Sequence, residues 1–244
     1  MNQADVFLKG EGDAWFLRNH KADEKPTISA SRQMLGRWIQ ENCRDIRKIL
    51  EIGAGSGYPL AYLAESSKSK GIGIEPSSHA IESWKKRKQM KTTDVELVKG
   101  VANKLPFDDS SFDLVGFGFC LYLIDRLDVC QAIKEADRVL RIGGYMYIED
   151  FDPITRYSNE YEHKKGIKSF KDNYYKYMSN SGHYSIVRHA SYGFSSDRFN
   201  PRENERVSMT LLYKNKGNIE KSIELQTLHS DMIENLDNGP NETD

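Results

Sequence analysis

The chain has 244 residues, of which 38% are hydrophobic and 29% charged, with a net charge of −1. That length suits one well-packed α/β domain, and the balanced charge argues against broad binding to phosphate backbones. No apolar run reaches the ~20 residues needed to span a bilayer, and Met1–Asp5 opens no basic-then-apolar leader. Cys43, Cys120 and Cys130 have no ligand-like spacing, so they read as reduced thiols of a cytoplasmic protein, and no metal site is expected.

In chain order, Thr27 to about Arg44 reads as a helix, with Leu35, Trp38 and Ile39 on one face and Thr27 or Ser29 as its cap. Lys48–Ile52 is a short apolar strand, and Tyr58–Glu65 a helix. Gly71–Ile74 is a second strand that ends at Glu75-Pro76. Ala80, Ile81 and Trp84 mark another helix, whose basic run Lys85–Lys88 reads as a solvated face rather than a nucleic-acid patch. Val95–Val98 and Phe112–Phe119 are the third and fourth strands, the latter apolar enough to be buried on both faces.

Val129, Ala132, Ile133, Ala136, Val139 and Leu140 follow helical spacing, and Gly143-Gly144 closes that helix before a fifth strand, Tyr145–Glu149. Residues 151–180 read as a loop with a helix around Phe170–Met178. Tyr184–Ala190 and Val207–Tyr213 suit an antiparallel pair at one sheet edge. The alternation implies right-handed crossovers and a mostly parallel sheet. One domain is expected over 1–215: an N-terminal cap and helix (1–45), a core (46–150), and an insertion with the C-terminal hairpin (151–215). A polar tail follows over 216–244, frayed at Asn238–Asp244.

The run Ile49-Leu50-Glu51-Ile52-Gly53-Ala54-Gly55-Ser56-Gly57 joins a strand to a helix through alternating glycines. The dinucleotide fingerprint spaces its third small residue differently. A carboxylate at Glu51 would repel a pyrophosphate, whereas a ligand carrying an ammonium and a sulfonium would gain from it. Glu75, ending the second strand, stands where a carboxylate accepts ribose hydroxyls in either class of cofactor site.

Four motifs in series, E-I-G-A-G-S-G, G-I-G-I-E-P, A-N-K-L-P-F-D-D-S-S-F-D-L-V and E-A-D-R-V-L-R-I-G-G-Y, resemble those of class I S-adenosylmethionine-dependent methyltransferases. The ubiquinone/menaquinone-biosynthesis-like, small-molecule branch is the nearest group, and the likeness covers residues 48–150. It implies a Rossmann-like α/β fold with a mostly parallel seven-stranded sheet, an antiparallel last strand and helices on both faces. It implies S-adenosylmethionine as cofactor, with S-adenosylhomocysteine as product. Glu51 and the backbone of Gly53, Ala54, Gly55 and Gly57 would surround the methionine moiety. Glu75 would bind the ribose, Pro76 would flank the adenine, and Gly118-Phe119-Cys120-Leu121 would lie along the sulfonium. Cys120 reads as a small buried filler rather than a nucleophile. The family commonly has G-D-A before L-P-F, its acid bonding the adenine amine, and this chain has Gly100-Val101-Ala102-Asn103. Val101 cannot accept that bond, which leaves the Ala102 backbone and the Asn103 side chain.

No N/D-P-P-Y/F run and no Lys-Asp-Lys-Glu arrangement of the kinds used on nucleic acid is evident, so a small-molecule acceptor is expected. Asp152-Pro153-Ile154-Thr155 lacks the second proline and the aromatic. Sites in such sheets lie beyond strand C-termini. Two segments therefore qualify: Ala14–His20, with Trp15, Arg18 and His20 as substrate contacts, and Asp150–His163. In the second, Tyr157, Tyr161 and His163 are candidates for acceptor contact or proton removal, and Arg156 would suit an anionic acceptor. The second segment also resembles loops in methyltransferases of bacterial surface-polysaccharide clusters. That likeness suggests a small polar acceptor such as a sugar, nucleotide-linked or phosphoramidate-type glycan precursor. A lipid-like quinone or polyketide acceptor, and a non-catalytic cofactor-binding module, are the competing readings. An extended Leu/Phe/Met wall would favour the lipid.

Overall fold

The computed structural model describes residues 2–20, 27–88, 93–194 and 196–216. The tail expected beyond 216 lies outside the described residues. Nine strands are present among them: β1 (Lys48–Ile52), β2 (Lys70–Glu75), β3 (Val95–Lys99), β4 (Phe112–Gly118), β5 (Leu140–Phe151), β6 (Tyr157–Glu160), β7 (Lys168–Lys171), β8 (Tyr184–Gly193) and β9 (Arg206–Lys214). Seven form one sheet in the order β3-β2-β1-β4-β5-β9-β8, while β6 and β7 make a separate hairpin. β1 to β5 are parallel, and β9, the last of the described strands, runs antiparallel to both β5 and β8.

The helices are α1 (Gln3–Val6), α2 (Gly12–Asn19), α3 (Ala30–Asn42), α4 (Tyr58–Ser67), α5 (Ser78–Lys88), α6 (Arg126–Val139) and α7 (Tyr175–Ser179). Ser29 caps α3 by accepting from the Arg32 N–H. Strand alternation sends Leu50, Ile52, Met146 and Ile148 to a core shared with Val129, Ile133 and Ala136 of α6. Ile49 and Tyr147 face the opposite core, which Leu35 and Ile39 of α3, Leu60 and Leu63 of α4, and Trp84 of α5 complete. Helices therefore cover both faces, as the fold class requires.

Glu51, Gly116 and Tyr147 stand abreast in β1, β4 and β5, on the α3 face. A side chain at Gly116 would fall inside the Tyr147 ring, and one at Gly118 would come 2.5 Å from Glu51 Oε1. The Gly116-Phe117-Gly118 alternation thus opens a trough on that face only. Tyr147, Glu51 and Glu149 fill it, and Arg32 descends from α3 to bridge them.

Two expectations are corrected. α6 stops at Val139 rather than at Gly143-Gly144, because Leu140 already pairs with Phe112 as strand. Gly143 (φ +76°) then sits inside β5, where the register shifts against β4. The helix read over Phe170–Met178 is only Tyr175–Ser179, since Lys168–Lys171 pairs antiparallel with β6. The N-terminal stretch is helical from Gln3 to Asn19, with a kink at Gly10 (φ +146°) that glycine tolerates.

Candidate active site

A cleft opens at the C-terminal ends of β1, β2 and β4. Its floor comprises Gly53 and Gly55 after β1, Glu75 and Pro76 after β2, Gly100–Asn103 after β3, and Gly118–Cys120 at the end of β4. Leu123, Ile124, Asp125 and Asp128 form one side, and Ala4, Phe7, Gly12 and Trp15 of the N-terminal segment form a roof.

That roof is pinned at several points. Gln3 is buried and bonds the backbone of Leu123 and Lys168. Asp13 accepts from the Ser77 hydroxyl and the His79 N–H, so it caps the start of α5 from across the cleft mouth. Burial pushes the Asp13 carboxyl up, but these bonds outweigh it and hold the group below its usual range. Glu11 pairs with Arg18 at 2.6 Å, and Arg18 also donates to the Tyr161 hydroxyl at 2.9 Å.

All three loop glycines have positive φ, at +73°, +51° and +76°, but they serve different ends. A Cβ on Gly53 would strike Cys120, and one on Gly57 would strike Trp84. A Cβ on Gly55 would meet nothing within 4 Å, because that glycine faces the cleft. The loop's donors turn inward. Gly53 and Ala54 N–H go to the Ile74 carbonyl, Gly57 N–H to the Ala54 carbonyl, and Gly55 N–H to Glu75 Oε2 at 2.7 Å. A phosphate cradle needs such donors aimed at the ligand, and here these four are spent on the protein.

The electrostatics favour a cation. The charged residues lining the cleft are Glu75, Asp125 and Asp128, and no Lys, Arg or His is among its lining residues. Glu75 accepts from Gly55 and Ser77 N–H, yet burial pushes its carboxyl up to about 7. Glu51 lies behind the lining residue Gly118, 1% exposed. It pairs with Arg32 at 2.6 Å, while Arg32 also binds Glu149 (2.7 Å) and the Tyr147 hydroxyl (2.8 Å). One cation thus serves two buried carboxylates. Burial raises Glu51, whose Oε2 has no partner among the described residues, whereas Arg32, Ser31 and Tyr192 draw Glu149 below its usual range despite its burial. An orphaned carboxylate oxygen, an acid-lined floor and the space over Gly55 fit a ligand with ammonium, sulfonium and ribose diol.

Beside Cys120, the lining residue Phe119 anchors an aromatic cluster. Phe119 takes φ +57°, a strained value for a non-glycine residue, and its ring packs on Tyr122, Phe151 and Phe194 at 5.0–5.6 Å. Lys171 Nζ lies 2.9 Å from the Phe151 ring centroid and 4.6 Å from that of Tyr122. Burial lowers Lys171 to about 8 and raises the neighbouring Asp150 to about 7. Cys120 donates to the Ile52 carbonyl, and burial pushes its thiol well up, so it is no nucleophile.

Of the residues picked out from sequence, Gly53, Gly55, Glu75, Pro76, Ala102, Asn103, Phe119, Cys120 and Trp15 line the cleft. Glu51, Ala54 and Gly57 stand behind it. Ala54 is buried against Gly73, and Gly57 against Trp84. Tyr157, Tyr161, His163 and Arg156 are not among the residues that line this cleft. Tyr157 belongs to the β6–β7 hairpin, and Tyr161 packs on the outer side of Phe7 with His163 edge-on to it. Arg18 is spent on Glu11 and Tyr161, and His20 stacks on Phe16. Sequence reasoning missed Phe7, Asp128 and the Arg32 bridge. Among the described residues no group of metal-ligating side chains converges, and no helix is long and apolar enough to cross a membrane.

Residues 50–148 match a protein family described as a methyltransferase domain. Over this stretch the chain is similar to class I S-adenosylmethionine-dependent methyltransferases, among them relatives named for menaquinone biosynthesis. Demethylmenaquinone methyltransferase of Chlorobaculum tepidum is 36% identical over 101 residues, covering 41% of this chain and 39% of that protein. Fatty-acid O-methyltransferase of Mycolicibacterium smegmatis is 34% identical over 108 residues, covering 44% and 38%. The matches thus span about two fifths of these relatives' lengths. Among solved structures, the 1,6-didemethyltoxoflavin-N1-methyltransferase of Burkholderia thailandensis, with its substrate and S-adenosylhomocysteine bound, shares the fold with a TM-score of 0.65. Its identity is 14%, over 87% of this chain and 89% of that one.

Proposed function

We propose that the protein transfers a methyl group from S-adenosylmethionine to a small acceptor whose body is apolar or aromatic. Bound along the floor, S-adenosylmethionine would supply an activated methyl and leave as S-adenosylhomocysteine, and the proton of a hydroxyl acceptor would pass to solvent. What the chain must add is alignment and exclusion of water. Glu75 holds the ribose diol, Glu51 offers negative charge at the amino-acid end, and Phe7, Trp15 and Phe119 shield the reacting end.

The observation that carries the acceptor class is the aromatic cluster. It runs from Phe119 through Phe151 to Phe194, which is 62% exposed at the surface. Phe119, which anchors this cluster, lines the cleft, whereas Tyr157, Tyr161, His163 and Arg156 do not. The relatives named for demethylmenaquinone and fatty acids are consistent with an apolar acceptor.

The test is transfer of tritiated methyl to two panels, hydroxylated aromatic and quinol-type compounds against nucleotide-linked sugars. Label is expected in the first panel. Phe194→Ala should raise the acceptor KM roughly tenfold, in keeping with lost aromatic burial, while cofactor affinity stays unchanged. Label confined to the sugars would refute the acceptor assignment.

A further inference from the structure

The cofactor reading leaves the adenine amine unclaimed, because Val101 stands where the family has a carboxylate. Val101 lines the cleft and bridges to Lys104, so its position offers backbone alone. α6 packs along this same loop. Glu135 accepts from the Leu105 N–H, and Arg138 donates to the carbonyls of Leu105 and Phe107. On a helix, positions i, i+4 and i+7 share a face. Asp128, seven residues before Glu135, is therefore on the loop-facing side and two turns nearer the cleft, with buried Ala132 between.

Asp128 lines the cleft with Val101, Ala102 and Asn103. Its Oδ2 is buried and has no hydrogen-bond partner among the described residues. A buried carboxylate oxygen without a partner is costly, and such an atom in a binding cleft calls for a donor. Asp125, the other acid on this side, is already engaged in capping α6 through the Leu127 N–H. Asn103 carries both a donor and an acceptor on its amide, and so discriminates poorly between an amine and a carbonyl.

We propose that Asp128 accepts the exocyclic amine of the cofactor's adenine, replacing from α6 the acid that the loop after β3 lacks. The assignment rests on the S-adenosylmethionine reading and makes Asp128 the residue that reads the base.

The experiment is calorimetric titration of the full chain with S-adenosylhomocysteine and with S-inosylhomocysteine, in which a carbonyl replaces the amine. Wild type should prefer the adenine ligand by about 10- to 100-fold, the usual worth of a hydrogen bond to a charged group. Asp128→Asn should abolish or reverse that preference, because the amide can donate to the carbonyl. Asp128→Ala should weaken the adenine ligand by about tenfold or more, and Asn103→Ala should leave the preference in place. In circular-dichroism melts the Asp128 variants should be at least as stable as wild type, since the unpartnered oxygen is costly when buried and contributes no contact to lose. Retention of the full adenine preference in Asp128→Asn would overturn the assignment alone. Failure of wild type to bind S-adenosylhomocysteine at millimolar concentration would overturn the assignment together with the cofactor reading.

Discussion

Replacing Arg32 with Met is expected to destabilise the protein by about 3–5 kcal/mol, the usual cost of removing one partner from a buried ion pair. Arg32 is 3% exposed and, among the described residues, is the one cation bonded to both Glu51 and Glu149. Its loss leaves two carboxylates beneath α3 with only hydroxyl donors, from Ser31 and Tyr192 on Glu149. For a domain of this size that cost corresponds to a Tm drop of roughly 10 °C, read by circular dichroism. Both carboxylates would then be driven toward protonation, so the deficit should be larger at pH 8 than at pH 5. A pH-independent loss would mean that the charge imbalance is not what Arg32 relieves. Cofactor affinity should fall with stability, because the same bridge holds Glu51 beneath Gly118.

The second large effect is on Glu75. Glu75→Ala should weaken S-adenosylhomocysteine by about 100-fold or more, through loss of two hydrogen bonds to a charged acceptor, each worth about 1.5–3 kcal/mol. The Gly55 and Ser77 N–H groups also lose their acceptor. Glu75 gives a pH signature of defined sign. Burial raises its carboxyl from 4.5 to about 7 in the folded protein, so the fold favours the protonated form and loses stability as pH rises from 4.5 through 7. The stability of wild type relative to Glu75→Gln should therefore decline by up to about 3 kcal/mol between pH 4.5 and 8, the linkage value of a shift of this size. Ribose hydroxyls prefer the ionised acceptor. Affinity for S-adenosylhomocysteine should thus climb as pH rises toward 7 and level off above it, while Glu75→Gln shows no such rise. Urea melts and titrations at the same pH values check both halves.

Much of this architecture is legible in the sequence, for physical reasons. β1, β2 and β4 are buried on both faces and read as apolar runs, and the moment of α6 is plain in Val129, Ala132, Ile133 and Ala136. Where pairing overrode local signals, reading failed. Gly143-Gly144 looks like a helix end, but Leu140 had already been recruited by Phe112. Lys168–Lys171 looks helical beside Tyr174 and Met178, yet it is held by β6. The loop Asp150–His163 shows how little composition says about direction. Its hydrogen-bonding side chains are real, but Tyr161 is turned to Arg18 and the outer side of Phe7. The Arg32 bridge has a sequence signal after the fact. Alternating glycines at 116 and 118, opposite acids at 51 and 149, mark an uncompensated trough on one sheet face. Asp128 becomes meaningful only once Glu135 fixes which side of α6 meets the loop after β3.

On this reading the acid-lined cleft over Gly55 binds S-adenosylmethionine rather than a dinucleotide. Isothermal titration of the full chain with S-adenosylhomocysteine, and in parallel with NADH, tests it most directly. Saturable one-to-one binding of S-adenosylhomocysteine, weakened by Glu75→Ala, with no heat from NADH, is the predicted result. NADH binding, or no heat from millimolar S-adenosylhomocysteine, would contradict it.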